Sequence, residues 1–230
     1  MNWTDFTDNP VDTGVSKKIL DHLLKKRVIR EDCDLLDYLK EKIKGKRVLD
    51  IGICEHDLSH LNSDEWRHKT IRDNCQYSIG IDILENLVEL LKNKGYNVRC
   101  VDATSDVFLG EHFDVVFIGD VIEHVNDAVK LLTFSRRHLT KDGIIIASTP
   151  NPFYLNNIFQ AIKEGTFVAN FEHVSWITPS MALELARRSE LELQNYILVR
   201  KSKNFIKHIL KKMLPAELAN GFFIYQFGIK

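Results

Sequence analysis

Arg47-Val48-Leu49-Asp50-Ile51-Gly52 is an apolar run that ends in an acid and a glycine. This is how a buried parallel strand reads when it delivers its C-terminal end to a ligand. Gly52 lets the backbone turn sharply and lets a ligand come close. Asp50 is expected near the strand tip, where open α/β sheets bind ligands. Ile53-Cys54-Glu55-His56 follows directly.

Upstream, residues 1 to 15 are polar, contain Pro10 and Gly14, and read as an irregular lead-in. Ser16 is expected to cap a helix to about Arg27, with Leu20, Leu23, Leu24 and Val28 on one face. A second helix is expected over Cys33 to Lys44 through Leu35, Leu36, Leu39 and Ile43. Downstream, Asp57 to Asn74 reads as mostly helix, carrying Leu58, Leu61, Trp66 and Ile71. Tyr77 to Ile83 is the second strand, and Leu84, Leu87, Val88 and Leu91 mark an amphipathic helix that Gly95 stops. Asn97 to Val101 and Phe113 to Gly119 are the third and fourth strands. A helix over Asn126 to Leu139 precedes the turn Asp142-Gly143 and a fifth strand, Ile144 to Ser148.

This alternation predicts a Rossmann-like, doubly wound α/β sheet with right-handed crossovers. Thr178 should cap a helix that has Pro179 at its first position. Leu191 to Val199 and Gly221 to Phe227 alternate as strands. The reading is one domain over 1–230: an N-terminal helical cap (1–44), a ligand-binding core (45–150), and substrate-side helices with a closing strand pair (151–230).

The 230 residues fit one such domain, and an apolar fraction of 44% is ordinary for a globular chain. A net charge of -1 offers no global basic field for nucleic acid. Cys33, Cys54, Cys75 and Cys100 are too scattered for a paired metal-ligand motif. With no signal-peptide pattern, reduced thiols and a cytoplasmic setting are expected.

Val48-Leu49-Asp50-Ile51-Gly52 resembles the first motif of the class I S-adenosylmethionine-dependent methyltransferases. The resemblance continues through Gly80-Ile81-Asp82, Val101-Asp102-Ala103, Phe113-Asp114-Val115-Val116, Gly119-Asp120-Val121-Ile122-Glu123-His124-Val125, and Glu172-His173-Val174-Ser175-Trp176-Ile177-Thr178-Pro179. It spans roughly residues 45 to 200. Cys54 and His56 stand where that family usually has two more glycines. The resemblance implies a seven-stranded sheet of five parallel strands plus a C-terminal pair, one strand antiparallel. It implies S-adenosylmethionine as cofactor, S-adenosylhomocysteine as product, and no metal.

It also implies roles. Asp82, with Ile83 beside it, would take the ribose hydroxyls; a helix N-cap is the plainer role for that acid. Asp102 and Ala103 would hold the adenine, and Asp50 and Gly52 the amino-acid end. Gly119 and Asp120 would lie near the sulfonium. His124 and His173 are candidate general bases, since a hydroxyl acceptor must lose its proton. Glu172 and Tyr154 are candidates on the substrate side.

Asn151-Pro152-Phe153-Tyr154 is similar to the Asn-Pro-Pro-Tyr box of amide and base N-methyltransferases, but it follows the fifth strand rather than the fourth. It is expected to be a turn into the next helix, with Phe153 and Tyr154 lining the substrate side. Lys203, Lys207 and Lys211 align opposite Ile206, Ile209, Leu210 and Met213. This basic amphipathic stretch, Lys203 to Lys212, could pack on the domain, grip a phosphate-bearing substrate, or lie on an anionic membrane surface.

The expected activity is methyl transfer to oxygen. A glycan or a nucleotide- or lipid-linked sugar is the first acceptor class, from a weak likeness to polysaccharide-biosynthesis methyltransferases. A phenolic or quinone-like acceptor, RNA, and a catalytically silent binding module are the alternatives. A nicotinamide dehydrogenase is disfavoured, because the Gly-x-Gly-x-x-Gly loop is missing and Asp82 lies about 30 rather than about 20 residues beyond the glycine.

Overall fold

A computed structural model describes residues 2–31, 33–54, 63, 66–199 and 213–230. Its centre is an eight-stranded sheet in the order β1-β7-β8-β6-β5-β2-β3-β4. The strands are β1 (Arg27–Arg30), β2 (Arg47–Ile51), β3 (Tyr77–Asp82), β4 (Val98–Cys100), β5 (Phe113–Gly119), β6 (Leu139–Pro150), β7 (Leu191–Val199) and β8 (Phe222–Ile229). Neighbours pair in parallel except β8, which runs antiparallel to both β6 and β7.

β5 shows why the centre is parallel and doubly covered. Val115 and Phe117 pack into one apolar cluster, with Tyr38, Leu39 and Ile71. Val116 and Ile118 pack into the other, with Leu131, Leu132, Ala182 and Ala186. A strand buried on both faces needs a continuous apolar run, and Phe113–Gly119 supplies one. The helices α2 (Leu35–Ile43) and α3 (Arg67–Asn74) cover the first face; α5 (Ala128–Arg137) and α7 (Pro179–Arg188) cover the second. α4 (Glu85–Asn93) packs Val88 and Leu91 against Val98, Ile53 and Trp66.

The observed elements depart from the expectations in several places. The sheet has eight strands rather than seven, because Arg27–Arg30 extends and pairs in parallel with β7. α1 (Thr13–Lys26) is capped by Asp12, whose Oδ1 accepts from the Gly14 and Val15 amides, so Ser16 lies inside the helix. α1 buries Val15 and Leu23, while Leu20 and Leu24 are exposed beside Phe153 in a shallow groove. Asp34 caps α2 through a reciprocal capping box with Asp37. The N-terminal helices pack on the sheet; among the described residues, none from 1–44 lines the cavity at the C-terminal ends of β2 and β5. Asp142-Gly143 is an irregularity within β6 rather than a turn before it. Thr178 caps α7 with Pro179 at the first turn, as its sequence predicts.

Among the described residues, α6 (Leu155–Glu164) and the short α8 (Ala216–Ala219) are the remaining α-helices. The first half of the expected Asp57–Asn74 helix, including Leu58 and Leu61, lies outside the described residues. So do His56 and the basic stretch Lys203–Lys212. Among the described residues, no helix is long and apolar enough to cross a membrane.

Candidate active site

The strand order reverses between β2 and β5, and a cavity of about 610 Å³ opens at their C-terminal ends. Gly52 leaves β2 with φ +82°, and a Cβ there would overlap Val121 Cγ2. Only glycine meets both conditions, so the wall of the cavity is backbone at this point.

Asp82 ends β3 at the cavity wall. Its Oδ2 accepts from the Cys54 amide at 2.9 Å, and its Oδ1 from the Leu84 amide at 3.0 Å. A carboxylate accepts about four hydrogen bonds, so two backbone donors orient it and leave capacity for two hydroxyls. Cys54, in the place of a glycine, is buried. Burial, reinforced by the Asp82 carboxylate, pushes its thiol up to about 12. Asp102, beyond β4, forms a turn in which Oδ1 accepts from the Thr104 amide and hydroxyl, both at 2.7 Å. Ala103 is buried beside it, and Ile83, Leu84, Val101, Val125 and Leu131 make the surrounding wall apolar.

Gly119 and Asp120 line the opposite side. Asp120 has φ +53°, a conformation that few residues other than glycine adopt. It is held there by Ser148, whose carbonyl accepts from the Asp120 amide at 3.1 Å and whose hydroxyl donates to Oδ1 at 2.7 Å. Asp120 Oδ2 accepts from Arg67 Nη1 at 2.6 Å. Arg67, from the start of α3, therefore brings a guanidinium to the cavity wall. No sequence motif marked it.

Asp50 stands behind the wall rather than on it. Only 3% exposed, it meets the Nδ1 of the equally buried His68 at 2.8 Å through Oδ2. His68 follows Arg67 directly in α3, so this pair anchors the helix that presents the guanidinium.

The turn after Asp120 carries Glu123 and His124, and a loop before α7 carries Glu172 and His173; all four line the cavity. The loop is tied to the turn by backbone. The amides of Val174 and Ser175 both donate to the Glu123 carbonyl, at 3.0 and 3.3 Å. Behind it, the buried Tyr225 hydroxyl donates to the Ile177 carbonyl at 2.7 Å. The His124 and His173 rings meet edge to face with centroids 4.8 Å apart. Burial lowers the His173 pKa, and His124 beside it lowers it further. Glu123 is 1% exposed, and burial raises its carboxyl to about 7, with Asp120 adding to the effect.

Tyr154 is not among the cavity-lining residues. It precedes α6, and its hydroxyl accepts from Asn156 Nδ2 at 3.2 Å. Phe153 also points elsewhere, into the groove beside α1. Asn151 is buried and structural: its Nδ2 donates to the carbonyls of Glu217 and Asn220, at 2.6 and 2.7 Å. The tetrapeptide from Asn151 is thus a turn, as its position after the fifth core strand, β6, predicts.

Two acids at adjacent strand tips, an apolar slot between them, and a guanidinium–carboxylate pair at the far end fit an adenosine carrying an amino-acid tail. Residues 24–195 match the family model described as a methyltransferase domain. The chain belongs to the methyltransferase-domain family. Similar solved structures agree on the fold. An S-adenosylmethionine-dependent methyltransferase from Mesorhizobium loti superposes with TM-score 0.54 at 15% identity, over 84% of this chain and 94% of that one. One from Clostridium acetobutylicum gives 0.57 at 11% identity, over 94% and 98%. One from Thermotoga maritima, described as a possible histamine N-methyltransferase, gives 0.57 at 16% identity, over 85% and 87%. No curated protein matches.

This methyltransferase has the fold of the solved S-adenosylmethionine-dependent methyltransferases, with β1 an additional strand at one edge. Asp82 and Asp102 line the cavity at adjacent strand tips, and Gly52, Arg67 and Asp120 line it beside them.

Proposed function

We propose that this methyltransferase transfers a methyl group to a hydroxyl oxygen, of a sugar on a glycan or on a nucleotide- or lipid-linked precursor. The observation that carries the choice of oxygen is the Glu123–His124–His173 cluster on the cavity wall. An amine acceptor at neutral pH needs little more than desolvation, whereas a hydroxyl must lose its proton as it attacks.

Bound S-adenosylmethionine supplies an electrophilic methyl group on a positively charged sulfur. The chain's part is to align an acceptor oxygen with that methyl group and to exclude water. As the oxygen–carbon bond forms, the carbon–sulfur bond breaks, its electron pair stays on sulfur, and the acceptor proton passes to the cluster or to solvent. His124 and His173 are the groups proposed to receive it. Support for an acceptor with an apolar or aromatic-compatible face comes from Phe171, which is 94% exposed beside Glu172, and from Trp176 edge-on to both His173 and Phe167.

The test is transfer of a deuterated methyl group from S-adenosylmethionine to parallel panels of sugars, phenols and amines, with mass spectrometry of the products. O-methylated sugar made by wild type, and lost in Asp82→Ala, is the expected result. Methyl found only on nitrogen overturns the reading. Methyl found only on phenols keeps oxygen and replaces the acceptor class.

A further inference from the structure

A buried carboxyl normally has a hydrogen-bond donor, because stripping its water without one costs several kcal/mol. Glu123 is 1% exposed, and neither of its side-chain oxygens meets a donor in good hydrogen-bond geometry; the nearby Thr149 hydroxyl is itself buried and poorly satisfied. His173 is beside it with Nδ1 buried and equally without a partner. Arg67 directs Nη1 to Asp120 instead. A cation between the two residues would satisfy the Glu123 carboxylate and one His173 ring nitrogen together.

The distances suit one. Glu123 Oε1 is 3.9 Å from His173 Nε2, too far for a hydrogen bond. One ligand atom from each of Glu123, His124 and His173 can be chosen so that all lie within 4.8 Å of one another. Three ligand atoms each about 2.0–2.2 Å from a shared ion are about 3.3–3.6 Å apart in a tetrahedral shell, so coordination needs a closure of about 1.2–1.5 Å at the widest separation. The two segments are already fastened by the Val174 and Ser175 amides on the Glu123 carbonyl, so closure needs only side-chain movement. Glu172 Oε2, 3.9 Å from His124 Nδ1, stands on the open side.

We propose that Glu123, His124 and His173 bind a single divalent first-row transition-metal ion at the wall of the cofactor cavity, with Glu172 at its solvent side. One carboxylate and two imidazoles suit Mn²⁺, Fe²⁺, Co²⁺ or Zn²⁺ better than Ca²⁺ or Mg²⁺, which prefer all-oxygen shells. Three protein ligands leave coordination positions open toward the cavity. This departs from the metal-free site implied by the family resemblance; it keeps the proposed oxygen acceptor, on which its functional half rests, and replaces the two histidines as its proton acceptors. With the ion bound, the two histidines are ligands rather than bases. An acceptor hydroxyl on the ion ionises more readily and gives its proton to solvent. The ion is neither oxidised nor reduced.

The experiment uses untagged, chelator-treated full-length protein. Mn²⁺ is titrated with the free ion followed by electron paramagnetic resonance, and Co²⁺ by its visible absorption. About one ion per chain is expected, weakened by about tenfold or more in Glu123→Gln and in His173→Asn. S-adenosylmethionine titration of the same variants reports whether they are folded. Should they misfold, pulsed resonance on wild-type protein with Mn²⁺ decides, by showing nitrogen couplings from coordinated imidazole. No binding, binding that both folded variants leave unchanged, or a bound ion without nitrogen coupling overturns the inference. S-adenosylmethionine binding and O-methylation by metal-stripped protein that binds no ion would overturn the metal site alone. A bound ion with methyl found only on nitrogen would overturn the oxygen reading alone.

Discussion

The Asp50–His68 pair can be separated experimentally from the cofactor site that its motif suggests. Both side chains are at most 4% exposed, and they share one contact at 2.8 Å. His68 also fits closely over β3: a Cβ on Gly80 would lie 2.7 Å from His68 Cε1. Asp50→Ala leaves the imidazole buried without its partner. His68→Ala leaves the carboxylate in the same position. Breaking a buried pair in this way costs about 3–5 kcal/mol, a large share of the 5–15 kcal/mol typical of a whole domain. The double variant removes both groups and is expected to cost less than the sum, with a coupling of about 2–3 kcal/mol. Urea denaturation of the four proteins, followed by circular dichroism, measures each quantity. The accompanying loss of S-adenosylmethionine affinity should scale with the disturbance of α3 and Arg67. A coupling under about 0.5 kcal/mol would refute the structural role. So would an Asp50→Asn protein of wild-type stability that no longer binds S-adenosylmethionine, because Asp50 would then contact the cofactor itself.

Gly52→Ala places a side chain at φ +82° against Val121; it should lose about 1–2 kcal/mol of stability and weaken S-adenosylmethionine binding about tenfold or more, read by calorimetry. Arg67→Ala should weaken cofactor binding while Asp120 keeps its Ser148 contacts, and unchanged affinity would remove Arg67 from the site. Arg187, with Arg188 and the Trp3 indole, lowers Glu184 to about 2. Its folded pKa is thus below its unfolded value. The stability it adds is present above about 4.5 and is lost as pH falls toward about 2, so wild type and Glu184→Gln should differ in urea midpoint near neutral pH and converge in acid. Alkylation followed by peptide mass mapping should find Cys100, which is exposed, modified well before the buried, high-pKa Cys54.

The parallel core is legible in the sequence because each strand is an apolar run ending in a small or acidic residue. Val48 to Gly52, Gly80 to Asp82 and Phe113 to Gly119 all read this way, and α4 and α7 announce themselves by spacing and cap. β1 is not legible: Arg27-Val28-Ile29-Arg30 directly follows a helix and extends only because β7 offers it an edge. The same division runs through the site. Asp82, Asp102 and Asp120 could be placed because each follows its own strand. Arg67 could not, because a lone arginine beside Trp66 carries no pattern, and its partner Asp120 is reached only through the fold. Glu123 stood in plain view in Ile122-Glu123-His124-Val125, yet its burial and its approach to His173 are properties of two loops meeting. Asp50 shows the converse, in that its position in the motif suggested a ligand contact and its rotamer turned it to His68.

The pairing of β1 with β7 also bears on how the chain reaches this state. Arg27 is beside Tyr196, so two segments far apart in the sequence complete the sheet edge together. A contact that spans most of the sequence closes late, after its loop-entropy cost has been met by the strands between. During synthesis, Val28 and Ile29 would therefore wait with their backbone bonded to water until β7 emerges, guarded meanwhile by the charges of Arg27 and Arg30 on either side.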